Sequence, residues 1–415
     1  MFGYKRISYC FRLVFIITLL LLSFSGCSKI DGENVKSIPA LDTSIADFII
    51  EKPLPSPTIE PKHEEFDNPK PIEKNQLTLL AVGDNLIHIQ IINSGKNKDG
   101  SYNYDHLFSN LKADIEAADI SIINQETILG GNDFAYSGYP LFNSPMEIGD
   151  AIVRAGFDVV LHATNHAMDK GYVAIQNTLE YWKAHPTITV LGLNESEAAQ
   201  ETIAVIEKNG IKVAMLNYTY SLNGLSLPSD MPYLINLLDK SKITEDIAKA
   251  KELADFVIVF PHWGTEYEYK QDSSQKAWTA FFAEQGVDLV IGTHPHVLEP
   301  VEWVVSESGH RMLVYYSLGN YVSYQKEAPR MLGGIATVTL DKDSTGVHIS
   351  EAHITPIVTH YENQPNYRYG VYKLADYTPA QALAHGVLQL EENSLFTLDG
   401  TWALARQILG VWIDE

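Results

Sequence analysis

The chain is poor in cysteine and in basic residues, and each shortage excludes a class of protein. Two cysteines among 415 residues are too few for a disulfide scaffold or for a zinc site built from cysteines. Thirty basic residues stand against 52 acidic ones, and the net charge of −22 argues against a nucleic-acid binder, which needs a basic surface. The hydrophobic share of 45% excludes disorder throughout. The length allows two or three domains, or one large α/β domain.

The first 26 residues have the order of a secretory signal. Lys5, Arg6 and Arg12 precede an apolar run from Leu13 to Leu22, and small residues follow the run. The run is shorter than the roughly 20 residues that a membrane-spanning helix needs. We therefore expect residues 1–26 to be removed on export. The alternative is an uncleaved membrane anchor.

The segment that ends the signal resembles a bacterial lipobox. It reads Phe24-Ser25-Gly26-Cys27, with Phe24 at a position where leucine is usual. The resemblance implies cleavage before Cys27 and lipidation of its side chain. The mature protein would then be a lipoprotein, anchored through its lipid on the outer face of the bacterial cytoplasmic membrane. The other cysteine, Cys10, would be lost with the signal.

A proline-rich segment follows the predicted lipidation site. Residues 28–75 contain seven of the nineteen prolines and few apolar runs. This composition cannot bury enough surface to offset chain entropy, so we predict a disordered tether over 27–75. Nearly all of the negative charge belongs to the residues that follow it.

From residue 76 onward, short apolar runs alternate with helical patterns, and a run of antiparallel strands comes later. Strands are predicted at 77–82, 120–123, 158–161, 204–207, 212–216, 256–260, 289–291, 301–306, 312–316, 335–340 and 347–353. Helices are predicted at 107–118, 146–155, 172–184, 243–253, 275–285, 379–389 and 402–409. This mixture predicts an α/β fold of two packed sheets with helices outside. We place one domain at 76–370 and a helical tail at 371–415.

Polar residues stand where five of the predicted strands end. These loops are Gly83-Asp84-Asn85, Asn124-Gln125-Glu126, Thr164-Asn165-His166, Pro261-His262-Trp263-Gly264 and Gly292-Thr293-His294-Pro295-His296. Each residue alone could be a turn or cap residue. Capping does not predict histidines in three of five loops, however, and loops at the carboxyl ends of parallel strands are where α/β sheets bind ligands. The donor types favour a divalent metal.

Six segments in this order resemble the motifs of the CapA family, the capsule and poly-γ-glutamate synthesis proteins related to calcineurin-like metallophosphatases. They are Ala81–Leu86, Asn124–Glu126, Ala163–Gly171, His262–Tyr267, Gly292–Val297 and Tyr316–Tyr321. The resemblance covers about residues 76–340. It implies a four-layer αββα sandwich of two mixed sheets, with a metal centre at the sheet edge.

The resemblance also implies roles for single residues. The ligands of one or two ions of manganese, zinc or iron would be Asp84, Glu126, Asn165, His262, His294 and His296. Glu126 would bridge two ions. His166 resembles the general acid over the leaving group, and Asp169 could orient its ring. The phosphatase pattern Asp-x-His reads Asp84-Asn85-Leu86 here, which puts the second ion and ordinary phosphatase activity in question. His88 is a weak candidate to replace the missing histidine.

Four further residues are candidates for substrate contact: Asn85, Trp263, Glu266 and Asn320. For Glu266 and Asn320 a structural role is an equal alternative. Two functions remain open on this basis. One is a surface-anchored metal-dependent hydrolase or transferase acting on a cell-envelope polymer or phosphoester, in capsule biosynthesis. The other is a non-catalytic assembly or export component for an anionic polymer, working with polymer-synthesis membrane proteins. No Gly-x-Ser-x-Gly elbow supports a serine hydrolase.

Overall fold

The computed structural model describes residues 75–363, 368–390 and 396–415. The predicted signal, the predicted lipidation site Cys27 and nearly all of the predicted tether lie outside these residues. Within the described part of the chain, no helix combines the length and apolar character needed to cross a membrane.

Short strands and helices alternate through most of the described chain, and long antiparallel strands follow. The strands are β1 (Gln76–Asn85), β2 (Ile120–Asn124), β3 (Val159–Leu161), β4 (Thr189–Leu191), β5 (Ala204–Lys208), β6 (Ile211–Thr219), β7 (Phe256–His262), β8 (Leu289–Ile291), β9 (Val301–Val305), β10 (Arg311–Tyr315), β11 (Asn320–Val322), β12 (Leu332–Asp343), β13 (Gly346–Glu362) and β14 (Arg368–Lys373). The helices are α1 (Ile89–Ser94), α2 (Lys112–Ala117), α3 (Glu147–Ala155), α4 (Gly171–Lys183), α5 (Glu197–Gln200), α6 (Lys240–Leu253), α7 (Ser273–Gln285), α8 (Pro379–Ala384) and α9 (Leu398–Leu409).

The strands form two mixed sheets. The first has the order β14-β13-β12-β1-β2-β3-β4, with β11 paired to the end of β1. Strands β1 to β4 are parallel, whereas β12, β13 and β14 continue the sheet in antiparallel pairs. The second sheet has the order β5-β6-β7-β8-β10-β9, with parallel pairing from β6 through β10 and an antiparallel strand at each edge. Two sheets of this kind confirm the predicted fold class.

Alternation along the second sheet explains why the fold has four layers. In β7, Phe256, Ile258 and Phe260 face the core shared with the first sheet, while Val257 and Val259 face the helices. Because successive side chains of a strand point to opposite faces, a strand with apolar residues at every position is buried on both sides. Helices α6 and α7 cover the outer face, and α2 and α3 pack on the first sheet.

The structure departs from the predicted elements at several points. The helix predicted over 107–118 is shorter, because Ser109 and Asn110 interrupt it and α2 begins at Lys112. The short strand β11 and the edge strand β14 were missed. Strand β14 also runs across residue 370, where the sequence placed a domain boundary, and Ala405 and Leu409 of α9 join the main core. The residues after 370 are therefore part of the same compact unit.

A buried carboxyl group between β8 and β9 gives a test of stability against pH. Glu299 is fully buried, accepts a hydrogen bond from Gln275 and leaves its second oxygen without a partner. Burial, together with the charges of Asp272 and Glu268, raises the pKa of Glu299 to about 8. A carboxyl whose pKa is higher in the folded state destabilises the fold as pH rises through the range between its unfolded and folded pKa values.

Between pH 5 and pH 8, ionisation of Glu299 is therefore expected to lower the free energy of unfolding by about 3 kcal/mol. This decrease should be absent from Glu299→Gln. The measurement is urea unfolding at several pH values on metal-free protein. Glu351→Gln changes an exposed carboxylate of β13 and serves as the control, with the wild-type pH dependence expected. An unchanged pH dependence in Glu299→Gln would show that this carboxyl does not titrate as described.

Candidate metal centre

The carboxyl ends of the parallel strands from both sheets meet at one edge of the sandwich. Asp84 near the end of β1 lies in register with Asn124 of β2 and with Asn320 of β11. Two glycines permit this approach. A Cβ atom at Gly83 would lie 1.9 Å from the carbonyl oxygen of Gly319, and one at Gly292 would lie 2.1 Å from that of Tyr316. Side chains that end separate strands are thereby brought together.

Three buried side chains form the centre of this cluster. Ligand atoms of Glu126, His294 and His296 all lie within 4.8 Å of one another. Glu126 follows β2, and its Oε1 is 3.7 Å from Nε2 of His296 and 3.6 Å from Nε2 of His262. Such a group of one carboxylate and two imidazoles could hold a divalent metal ion.

The other predicted ligands surround this group. Nδ1 of His296 donates to Oδ2 of Asp84 at 3.0 Å, and Oδ1 of Asp84 accepts a hydrogen bond from Asn124 at 2.8 Å. Nε2 of His262 lies 3.0 Å from Oδ1 of Asn165, and Nδ1 lies 2.9 Å from the hydroxyl of Thr293. All six residues predicted to hold metal therefore lie in one connected, buried cluster.

The charges in the cluster act strongly on one another. Burial raises the pKa of Asp84, but the hydrogen bond and charge of His296 and the charge of His262 together hold it below its usual value. Burial opposes protonation of His296, whereas Glu126 and Asp84 favour it, and its pKa is raised to about 9. Burial and the neighbouring histidines hold the pKa of His294 well below its usual value. In the metal-free site, a protonated His296 thus balances part of the charge of Asp84 and Glu126.

The remaining polar atoms fit a bound cation. Both carboxylate oxygens of Glu126 and the Nδ1 atom of His294 are buried without a hydrogen-bond partner. Leaving buried polar groups unsatisfied costs about 1–3 kcal/mol each, and more for a charged group. These unpartnered atoms belong to two of the three converging residues, Glu126 and His294, and their oxygen and nitrogen donors suit a divalent ion. The donor set therefore fits a divalent metal ion.

The loop that carries the two histidines is held in an unusual backbone conformation. His294 has φ of 100° and His296 has φ of 59°, in a region that favours glycine. Strain of this kind costs of order 1–3 kcal/mol per residue and concentrates at functional sites. The backbone N–H of His294 donates to the carboxylate of Asp84, and the side-chain amide of Asn320 donates to the carbonyl of His296 at 2.9 Å; both bonds hold the loop in place.

The predicted acid and its orienting residue lie beside the cluster. Nδ1 of His166 donates to Oδ2 of Asp169 at 2.8 Å, and the same oxygen accepts the backbone N–H of Phe142 at 2.7 Å. The His166 ring packs edge-on against Phe142, with ring centres 4.6 Å apart. With Nδ1 fixed as a donor, Nε2 is the atom available to a substrate. Both His166 and the nearby His296 contribute to the wall of a cavity of about 640 Å³.

The four substrate-contact candidates fall in different places. Glu266 is exposed on the cavity wall. Trp263 is buried in the helix-covered core and donates to the carbonyl of Tyr316, so it does not line the cavity. Asn320 is buried, and its amide fixes the His296 loop instead of lining the cavity. Asn85 is buried, and its amide donates to Gln125 at 2.6 Å while its carbonyl oxygen has no partner.

Two residues near the centre, Asn223 and Tyr220, are not among those predicted from the sequence. Asn223, in the loop after β6, accepts a hydrogen bond from Asn165 and lies 3.4 Å from Nδ1 of His166. Tyr220 of the same loop packs on His294, with ring centres 4.7 Å apart. His88 lines the cavity and uses Nδ1 to accept the N–H of Tyr324, outside the three-residue group. Burial lowers its pKa to about 4.

Sequence comparison supports the resemblance seen in the motifs. The family model described as bacterial capsule synthesis protein PGA_cap matches residues 78–325, which is more than half of the chain. The PGA biosynthesis protein CapA of Bacillus subtilis is 32% identical over 206 residues, covering 49% of this chain and 51% of the relative. The capsule biosynthesis protein CapA of Bacillus anthracis is 28% identical over 262 residues, covering 60% of each. The chain thus matches between half and three fifths of these relatives.

Comparison of structures finds a more remote likeness. The calcineurin-like phosphoesterase YfkN of Bacillus subtilis aligns with a TM-score of 0.39 and 14% identity, covering 79% of this chain and 99% of that one.

Proposed function

The chain belongs to the family of bacterial capsule synthesis proteins PGA_cap, and from that premise we propose that it is a metal-dependent hydrolase or transferase. Its substrate would be a cell-envelope polymer or phosphoester, in the biosynthesis of a poly-γ-glutamate capsule. The observation that carries the proposal is the convergence of Glu126, His294 and His296, together with the buried atoms of Glu126 and His294 that have no hydrogen-bond partner. The names of two relatives refer to PGA or capsule biosynthesis and support the choice of pathway.

The residues that would hold the metal are the six of the buried cluster. A divalent ion supplies a Lewis acid that polarises an oxygen of the electrophile and lowers the pKa of water toward neutrality. Asp84 and Glu126 supply the negative charge that such an ion needs, and the imidazoles and the Asn165 amide complete the donors. This set suits manganese, zinc or iron and one or two ions.

The chain itself would move a proton at the leaving group. His166 lies at the cavity wall, and its Nδ1 proton is held by Asp169. Its Nε2 would donate a proton to the departing atom, as a general acid does. Phe142 packs against the imidazole and limits its rotation. The same residues serve hydrolysis or transfer, depending on whether water or another acceptor enters the cavity.

We also propose that the protein acts at the outer face of the cytoplasmic membrane. Support comes from the order of basic segment, apolar run and lipobox-like Phe24-Ser25-Gly26-Cys27. The lipid on Cys27 would be the membrane contact, and membrane proteins of polymer synthesis would be the partners. Labelling of cells with radioactive fatty acid tests the anchor. Label should enter the wild-type protein and be absent from Cys27→Ser, and equal labelling of both would refute lipidation at this cysteine.

The activity is tested with purified full-length protein loaded with Mn²⁺ or Zn²⁺. Phosphoesters, γ-glutamyl peptides and peptidoglycan fragments are the substrates to screen. At least one is expected to be cleaved, with the activity lost on chelation and restored by metal. The Asp84→Ala and His294→Ala variants should fail in the same assay, while His348→Ala, an exposed histidine of β13, should not.

One result would instead favour the assembly or export role. In that case the protein binds metal, cleaves none of these substrates and still supports capsule formation in cells when His166 is replaced by alanine. The His166 variant must accumulate to the wild-type level for this comparison. Loss of capsule in that variant, with normal protein level and metal content, agrees with the enzymatic proposal.

A further inference from the structure

The cavity beside the metal centre has a second feature besides the predicted catalytic residues. Its wall contains Arg330, on the 3₁₀ turn Ala328–Met331, and Tyr267 from the loop after β7. The guanidinium carbon of Arg330 lies 3.4 Å from the centre of the Tyr267 ring. The same tyrosine ring lies 5.9 Å from the imidazole of His296. One aromatic ring therefore contacts both a predicted metal ligand and an arginine.

Two further contacts fix Arg330 relative to the metal centre. The amide of Asn320 donates both to the carbonyl of His296 at 2.9 Å and to the carbonyl of Arg330 at 3.3 Å. The backbone N–H of Tyr267 donates to the carbonyl of Pro295 at 2.8 Å, between the two ligand histidines. Tyr267 itself has φ of 68°. Backbone strain at a non-glycine residue beside a candidate site is typical of positions held for function.

The guanidinium keeps donors available for a ligand. Nη1 of Arg330 contacts Glu327 at 2.6 Å, and the side chain is 22% exposed. Among the described residues, Glu327 is the acidic group within ion-pair distance of it. A guanidinium carries five N–H donors, and stacking on an aromatic face leaves its edge free to bond an anion. In a chain of net charge −22, a cationic edge beside a metal centre is a local exception.

We propose that Arg330 determines substrate specificity by binding a carboxylate that the substrate carries next to its reacting group. The inference rests on the proposed function, because it assumes that the reacting group sits at the metal centre. The planar fork of a guanidinium matches a carboxylate through two parallel hydrogen bonds. A singly charged group also suits a guanidinium that is already partly neutralised by Glu327. Tyr267 is the positioning residue that holds the fork in place.

The experiment measures binding, so that it does not depend on turnover. Calorimetry on the full, Mn²⁺-loaded chain would compare γ-linked triglutamate with the same peptide carrying α-carboxamides. The wild-type protein is expected to bind the acid at least about tenfold more tightly, the typical value of a hydrogen-bonded ion pair. Arg330→Gln should bind both peptides alike. Arg330→Lys should lose most of the preference, because an ammonium lacks the planar fork.

Arg154→Gln is the matched control, because it removes the same charge from a surface arginine paired with Asp105. It should retain the wild-type preference. Metal content and melting temperature are recorded for every variant, and Arg330→Lys remains informative if Arg330→Gln fails to fold. Equal binding of both peptides by the wild type, or an unchanged preference in Arg330→Gln and Arg330→Lys, would overturn the inference.

A third arm with a glycerol phosphodiester distinguishes the kind of anion. Binding of this probe that depends on Arg330, without any Arg330-dependent binding of the carboxylate peptide, would refute the carboxylate assignment. Failure of the proposed function gives a different pattern, since the acid preference persists although no substrate is cleaved. Cleavage that continues without an Arg330-dependent preference refutes only the role of Arg330.

Discussion

Replacing Glu126 with glutamine is expected to abolish stoichiometric metal binding while the protein remains folded. Groups that only orient a metal ligand typically contribute about 10- to 100-fold in affinity, so loss of a direct carboxylate ligand should cost at least about 100-fold. Glutamine keeps the shape of the side chain and removes its charge. The metal-free variant should still fold, because neither oxygen of Glu126 has a hydrogen-bond partner to lose.

Metal content measured by mass spectrometry, with competition titration for affinity, tests this expectation. His294→Ala should lose metal as well, since it contributes the other orphaned atom of the group. His348→Ala removes a half-exposed histidine near the start of β13 and should keep wild-type metal content. Equal metal content in Glu126→Gln, His294→Ala and wild type would show that metal does not bind at this group of residues.

The convergence of the six candidate ligands at one sheet edge could be predicted because strand ends carry a clear signal. Asp84, Glu126 and His262 each come at or just after an apolar run that reads as a buried strand. Parallel strands deliver their carboxyl ends to one edge, so residues far apart in sequence meet there. This convergence can be predicted without knowing the strand order within the sheets, since each parallel strand ends at the same edge.

Trp263 shows where that reasoning was incomplete. It stands next to His262, but neighbouring positions of a strand face opposite sides. Val257 and Val259 of β7 belong to the helix-covered core, and Trp263 continues that odd-numbered series into the same core. Alternation along the strand therefore places Trp263 in the helix-covered core and away from the cavity.

Asn223 and Arg330 could not be placed from the sequence for a different reason. Both lie in connecting segments, and periodicity specifies strands and helices but not the path of a loop. Asn223 reaches His166 because the chain after β6 folds back over the site, and Arg330 reaches Tyr267 through a 3₁₀ turn. Their signals, an Asn-Gly pair and a lone arginine, are common in surface loops.

Replacing His166 with alanine is expected to lower kcat by about 100- to 10,000-fold on a substrate with a poor leaving group, the usual contribution of a general acid. Metal content should stay at the wild-type level, because His166 lies outside the three-residue group. The loss should be much smaller with a nitrophenyl leaving group, which departs without a proton. A role in binding alone would lower the rates of both substrates equally, so the ratio of the two losses identifies the role.

Asp169→Asn separates proton donation from orientation of the ring. The carboxylate of Asp169 accepts hydrogen bonds from Nδ1 of His166 and from the backbone N–H of Phe142, so an amide in its place should leave the imidazole less well fixed. We expect an intermediate loss of kcat with the same dependence on the leaving group. His310→Ala, a histidine bonded to the carbonyl of Val287 away from the cavity, is the control and should show wild-type kinetics. Wild-type rates for His166→Ala on the poor leaving group would contradict the acid role. Among the imidazoles of the described cavity wall, only His166 has its Nδ1 proton held by a carboxylate outside the candidate metal cluster.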